Sequence, residues 1–158
     1  MLLPGIQNWP HLHLVTNHIP IIGLGLVLVW LVWGILTRDP AVERAGYLML
    51  ILVALGTVVV FVSGHQASTR SEVMMARWFN QTLIETHEER AHLACYITWA
   101  AGLLALIGFG MGMAKRVVPR WLAGLILAST LLGAGAMVWV ADAGGKIHHE
   151  EIRSPTHG

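Results

Sequence analysis

The sequence predicts an all-α fold: a four-helix transmembrane bundle with an amphipathic interfacial helix between helices two and three. Three observations predict it. Hydrophobic residues make up 55% of the 158 residues and charged residues 12%, with a mean hydropathy of +0.62, whereas soluble domains carry about 25% charged residues. Four apolar runs each approach the ~20 residues an α-helix needs to cross ~30 Å of hydrocarbon. Those runs are apolar on every face, which the alternating strands of a β-barrel are not.

The first span covers about 20–36, with a helical turn or two before it from His11. It lacks a basic leader and is interrupted by Pro20, so it is expected to act as its own insertion signal rather than as a cleaved one. The second span covers about 46–63, the third 91–113 and the fourth 121–141. Two short loops hold Arg38, Arg44, Lys115, Arg116 and Arg120. The other side has Arg70, Arg77, Arg90, Lys146 and Arg153, spread over longer segments and outnumbered by acids. The excess of cations in short loops places those loops in the cytoplasm and both termini outside. Trp30, Trp33 and Trp121 then fall near the inner interface and Trp9, Trp78 and Trp139 near the outer one, where indoles are favoured; Trp99 is deeper.

Between spans two and three, the segment 67–90 carries Met75, Phe79 and Leu83 at a spacing of four, with Met74 and Trp78 beside them. Arg77, Asn80, Gln81 and Glu85 take other faces, the pattern of a helix lying flat on the membrane or closing over the bundle. Gly144-Gly145 reads as a helix stop that turns the chain back and folds His148 and His149 over the bundle mouth. The tail 152–158, with Pro155 and Gly158, reads as mobile. Glycines within the spans, among them Gly23, Gly102, Gly108 and Gly133, permit close helix packing. The two hairpins look alike in outline, without a residue-level repeat.

The formal charge of +1 gives no reason to expect nucleic acid. A single cysteine, Cys95, excludes an internal disulfide and any cysteine-based cluster, and its place inside a span reads as packing.

The histidines carry the chemistry. On this topology all nine lie on the outer side. Helix one opens with His11, His13, Asn17 and His18, and helix two ends in Ser63-Gly64-His65-Gln66. Helix three is entered through Glu85, His87, Glu88 and His92, and helix four leaves through His148, His149, Glu150 and Glu151. Neutral imidazole is the commonest biological metal ligand, and bundles build cofactor sites from side chains on facing helices. Glu85, Glu88 and His92 share one helix face, while His87 points elsewhere. His157 belongs to the tail and is expected to be non-functional.

The segments His11-Leu12-His13-Leu14 with Asn17-His18-Ile19-Pro20, Glu85-Thr86-His87-Glu88-Glu89, and Gly144-Gly145-Lys146-Ile147 with His149, Glu151 and Ile152 resemble a family of bacterial four-helix inner-membrane proteins with no settled function. The resemblance implies a shared polar site formed by His13, Asn17, His18, His87, Glu88, His149 and Glu151. His65, Glu150 and His92 depart from the family pattern, which makes His65 and His92 ligands peculiar to this chain or neutral changes at a wet interface.

Three functions follow. The first is a redox subunit holding haem b near the periplasmic face and moving electrons between quinone and a periplasmic partner. Its axial ligands would come from His18, His65, His92 and His149, with His13 and His87 as alternatives. The second is a divalent transition metal, zinc, iron or copper, held by His13, His18, His87, Glu88, His149 and Glu151. The third is a cofactor-free accessory subunit of a larger membrane complex, its polar mouth satisfied internally. In each the chain contacts membrane lipid. No nucleophile–base pair or phosphate-binding glycine loop suggests a hydrolase.

Overall fold

The computed structural model describes residues 8–76, 79–149 and 152–153. The helices are α1 (Trp9–Thr16), α2 (His18–Thr37), α3 (Pro40–Ser68), α4 (Ser71–Met74), α5 (Gln81–Met113) and α6 (Arg120–His148). No strand occurs among the described residues. Four helical stretches are long and apolar enough to cross a membrane: Trp9–Thr37, Pro40–Ser68, Gln81–Met113 and Arg120–His148. This is a multi-pass membrane protein. A 29-residue stretch is about 44 Å long at 1.5 Å per residue. It overshoots the ~30 Å of hydrocarbon, and the overshoot lifts the polar helix ends clear of the apolar layer.

Local chemistry sets most of the boundaries. Asn8 caps α1, its side-chain oxygen accepting from the His11 N–H at 3.2 Å. Asp39 caps α3 at the Ala41 N–H, 2.8 Å, and Pro40 fills the first helical position, where no amide hydrogen is needed. Asn80 caps α5 through the Leu83 N–H. The chain leaves α2 through Arg38 in the left-handed region, φ 57°, its N–H bonded to the Gly34 carbonyl. At the α1–α2 junction Asn17 keeps helical dihedrals and its N–H bonds the His13 carbonyl, so α1 and α2 act as one rod across Pro20.

Two expectations are corrected here. The segment 67–90 is not one interfacial helix. α3 ends at Ser68, α4 is a single turn, and from Asn80 the chain already belongs to α5. Arg77 and Trp78 lie outside the described residues. Nor does Gly144-Gly145 stop the last helix: α6 runs through both glycines to His148. Each glycine makes room for a neighbour. A Cβ on Gly144 would lie 3.0 Å from His87 Cε1, and one on Gly145 would lie 3.2 Å from Ile152 Cδ1. The chain turns back after α6, where Arg153 donates to the carbonyls of Lys146 and Ile147 at 2.8 and 2.9 Å.

The helices form a closed ring, α2 beside α3, α3 beside α5, α5 beside α6 and α6 beside α2, with α1 packed on α3. α2 therefore stands opposite α5, and α3 opposite α6. The buried positions reveal a repeat in which positions are buried, though not in the residues that fill most of them. Pro20, Leu24, Val27, Leu31 and Gly34 are buried in α2, and the positions 74 further on, Ala94, Thr98, Ala101, Ala105 and Gly108, are all buried in α5. Gly46, Leu50, Val53, Thr57 and Ser63 are buried in α3, and those 80 further on, Ile126, Thr130, Gly133, Met137 and Ala143, are buried in α6. The two hairpins are thus related by a pseudo-two-fold axis along the bundle.

Packing breaks the symmetry in size. Leu24, Val27 and Leu31 of α2 correspond to Thr98, Ala101 and Ala105 of α5, whereas Gly46 and Leu50 of α3 correspond to Ile126 and Thr130 of α6. Large residues lie opposite small ones, as close packing requires. The buried threonine hydroxyls are satisfied within their own helices: Thr57, Thr98 and Thr130 donate to the carbonyls four residues back at 2.7–2.8 Å. Leu26, Val29, Leu103, Leu131 and Leu132 face outward, as lipid-facing residues do.

α3 approaches α5 closely where a Cβ on Gly102 would come within 2.6 Å of Ala54 Cβ. Gly102→Val is expected to lower stability by about 1–3 kcal/mol through overpacking. Gly124, on the open face of α6 with nothing within 4 Å, should accept alanine with a gain of up to about 1 kcal/mol. Thermal unfolding of the purified variants in detergent checks both signs.

Candidate functional site

Seven histidines line one cavity of about 570 Å³ at one end of the bundle: His13, His18, His65, His87, His92, His148 and His149. They arrive from all the long helices, as α1 and α2 bring two, α3 one, α5 two, and the end of α6 the last pair. Leu14, Ile21, Phe61, Met137 and Val140 supply apolar wall between them.

Two of the imidazoles are held in matching ways. His13 Nδ1 lies 3.1 Å from the Val60 carbonyl oxygen, and His87 Nδ1 lies 3.1 Å from the Val140 carbonyl oxygen. Each ring lies over a glycine one turn beyond its carbonyl: a Cβ on Gly64 would be 2.9 Å from His13 Cε1, and one on Gly144 would be 3.0 Å from His87 Cε1. The pairs His13 and His87, Val60 and Val140, and Gly64 and Gly144 obey the same offsets of 74 and 80 as the core. A side chain on either glycine would push the ring off the carbonyl. The glycine is what lets an imidazole reach the backbone of a neighbouring helix.

This geometry sets the chemistry of both rings. A carbonyl oxygen can only accept, so each Nδ1 carries the hydrogen and each neutral ring presents a bare lone pair at Nε2. A backbone carbonyl on the remote nitrogen is how proteins orient metal-ligating histidines and raise their basicity. The two rings come from different hairpins and border the same cavity.

The other sites expected from the sequence divide by burial. His18, His65, His92 and His149 all border the cavity but are exposed at its rim. His92 packs against Phe61 and Tyr96, with ring centroids 5.0 and 6.4 Å away. Glu88 is half-buried, and its Oε1 accepts from the Ser68 hydroxyl at 2.7 Å. Glu151 lies outside the described residues. Among the described residues, no three His, Cys, Asp or Glu side chains come together as a metal-binding group. Asn17 Oδ1 is buried on the cavity wall without a hydrogen-bond partner among the described residues.

Sequence reasoning missed the backbone half of the site, namely the Val60 and Val140 carbonyls and the glycines that expose them. The signal was present as His-x4-His at 13–18 and again at 87–92, and as Val-x3-Gly at 60–64 and again at 140–144. Comparison of the chain with protein-family models, with curated proteins and with solved structures gives no match.

Nitrogen-15 NMR of histidine-labelled protein above pH 7.5 should report the Nδ1–H tautomer for His13 and His87, against the Nε2–H form that free imidazole favours. Gly64→Ala should abolish that signature at His13 and leave His87 unchanged, and Gly144→Ala should do the reverse.

Proposed function

We propose that the protein is a membrane redox subunit in which His13 and His87 hold a haem b at the periplasmic end of the bundle, in a bacterial inner membrane. It would carry electrons between membrane quinone and a partner protein of a larger complex. The observation that supports this reading is the pair of imidazoles, one from each hairpin, each with Nδ1 bound to a backbone carbonyl and Nε2 left as a donor. A haem b would be held by protein imidazoles that present a bare ring nitrogen. Two oriented imidazoles across a pseudo-two-fold axis suit that requirement, and a flat, nearly symmetric ligand suits a site whose halves match.

The chain's own residues divide the work. His13 and His87 would ligate the group, and the Val60 and Val140 carbonyls fix their tautomers. Gly64 and Gly144 give the rings room. Leu14, Ile21, Phe61 and Met137 give apolar contact and keep water from part of the cavity. The group supplies one-electron transfer when bound. The rim histidines His18, His65, His92 and His149 then serve as polar contacts at the mouth rather than as the central ligands.

A non-haem metal is the second reading. What favours it is Glu88, the residue after His87, held in place by Ser68 at the same cavity. It asks for a third ligand beside His87 and Glu88, and the described residues do not bring one together with them.

A visible spectrum of the purified protein, as isolated and after titration with haem, tests the proposal. The expected result is a Soret band with sharpened visible bands on reduction. His13→Ala and His87→Ala should each abolish the six-coordinate spectrum, and Gly64→Ala or Gly144→Ala should weaken haem affinity about 10–100-fold through loss of ligand orientation. His18→Ala should leave the spectrum in place. No Soret band under any condition, with stoichiometric zinc, iron or copper by elemental analysis, would favour the second reading; neither haem nor metal would leave a structural accessory subunit.

A further inference from the structure

The opposite end of the bundle has a cavity of its own, of about 510 Å³, formed where α2 and α5 end and α3 and α6 begin. Arg38, Arg44, Lys115, Arg116 and Arg120 line it, with Glu43 as the acid on its wall. The salt bridges among the described residues, Arg90–Asp142 and Lys146–Asp142, are both at the histidine end, so none of these five cations is held by a carboxylate within 4.0 Å. The preference of short loops for cations accounts for their number. It does not account for three other features.

The first is Tyr47. It lines this cavity, is 1% exposed, and its hydroxyl is buried with no hydrogen-bond partner among the described residues. A buried hydroxyl left unpaired costs about 1–3 kcal/mol, and phenylalanine would fill the same space without that cost. The second is Arg44, whose stem lies against α5 where Gly112 has no side chain: a Cβ there would be 2.8 Å from Arg44 Cγ. The Arg44 side chain is thereby packed against the bundle along its stem and borders the cavity. The third is the start of α6, which has Pro119 at its cap and no side-chain hydrogen bond to its first amides. A 29-residue helix thus presents uncapped N–H groups and the positive end of its dipole to the same cavity.

From these we infer that the basic end is a binding site for a phosphate group, held by Arg44, Arg120 and the flanking cations, with the Tyr47 hydroxyl as the buried donor. A phosphate oxygen accepts from a guanidinium, an ammonium, a phenol and backbone amides alike, so one group can pair with the Tyr47 hydroxyl and with cations beside it, among them Arg120, which also donates to the Ile35 carbonyl at 3.3 Å. The phosphate belongs either to an anionic lipid headgroup, whose chains would lie along the apolar outside of the bundle, or to a soluble phosphate compound; basic pockets at the ends of membrane helices take headgroups in this way.

Melting of the wild-type protein and Tyr47→Phe, delipidated in a maltoside detergent that carries no phosphate, tests the inference. Three conditions are needed: detergent alone, detergent with phosphatidylglycerol, and detergent with added inorganic phosphate. In detergent alone, Tyr47→Phe should melt at or above the wild type, because it removes only an unpaired hydroxyl. Where the phosphate is bound, the sign should reverse: the wild type is stabilised, and Tyr47→Phe loses about tenfold in affinity for the anion, as does Arg44→Gln. Stabilisation by phosphatidylglycerol alone identifies a lipid headgroup, and stabilisation by inorganic phosphate identifies a soluble ligand. If neither anion raises the melting temperature of the wild type, or if Tyr47→Phe responds to both as the wild type does, the site does not exist.

Discussion

One hydrogen bond, made twice, ties the histidine end together. An imidazole from the start of one helix donates to a backbone carbonyl near the end of its hairpin partner, over a glycine that leaves the carbonyl accessible. Near the edge of a membrane such a bond is worth keeping, because a polar ring drawn into an apolar bundle without a partner carries a desolvation cost of several kcal/mol on alkane scales. The bond also joins α1 to α3 and α5 to α6, the two helices of each hairpin, at the end where no loop links them. At the other end the short turns perform that role.

The duplication explains the glycines and is in turn explained by them. Gly64 and Gly144 each sit in the interior of a long helix, where glycine is about 1 kcal/mol worse than alanine. Both places are where the ring of the paired helix needs the space of the absent Cβ. Around this shared frame the halves have diverged. His13 is followed by Leu14, while His87 is followed by Glu88, which accepts from Ser68. Gly64 is followed by His65 and Gly144 by Gly145, against which Ile152 packs. The two imidazoles share one geometry and feel different electrostatic surroundings, which makes the site directional although its frame is symmetric.

The four helices and the gathering of histidines at one end were legible because both rest on simple quantities, the length of apolar runs and the side of the membrane to which each end belongs. The repeat was not, for a physical reason. It preserves which positions are buried, not which residues fill them: Leu31 pairs with Ala105 and Gly46 with Ile126, because a core needs large against small rather than like against like. Its period also changes from 74 to 80, since α5 runs two residues past the position that matches the end of α2 and the turn from Met113 to Arg120 is four residues longer than that from Thr37 to Pro40. Gly144-Gly145 misled as a terminator because a helix stop and a ring-accepting notch look the same until the neighbouring helix is present. Met75, Phe79 and Leu83 likewise have a helical period, but Asn80 captures the Leu83 amide and starts a new helix between them.

The separation of chemistry between the two ends constrains what such a subunit does. All the described histidines lie at one end and a cavity lined by five cations lies at the other, and the polar side-chain atoms buried between them are threonine hydroxyls bonded within their own helices, the Trp99 ring nitrogen and the Tyr47 hydroxyl. Among the described residues this layer has no second pair of imidazoles to carry an electron across the bilayer. A redox centre at the histidine end would exchange electrons on one side only, with donor and acceptor both approaching the same cavity. On the proposed function, a quinone headgroup would reach that depth from within the lipid and a partner protein from the aqueous side, and the exposed rim of His18, His65, His92 and His149 would lie where the two approaches meet. The cations at the far end are then free of any part in electron transfer, and anchoring to phosphate is a role compatible with that division.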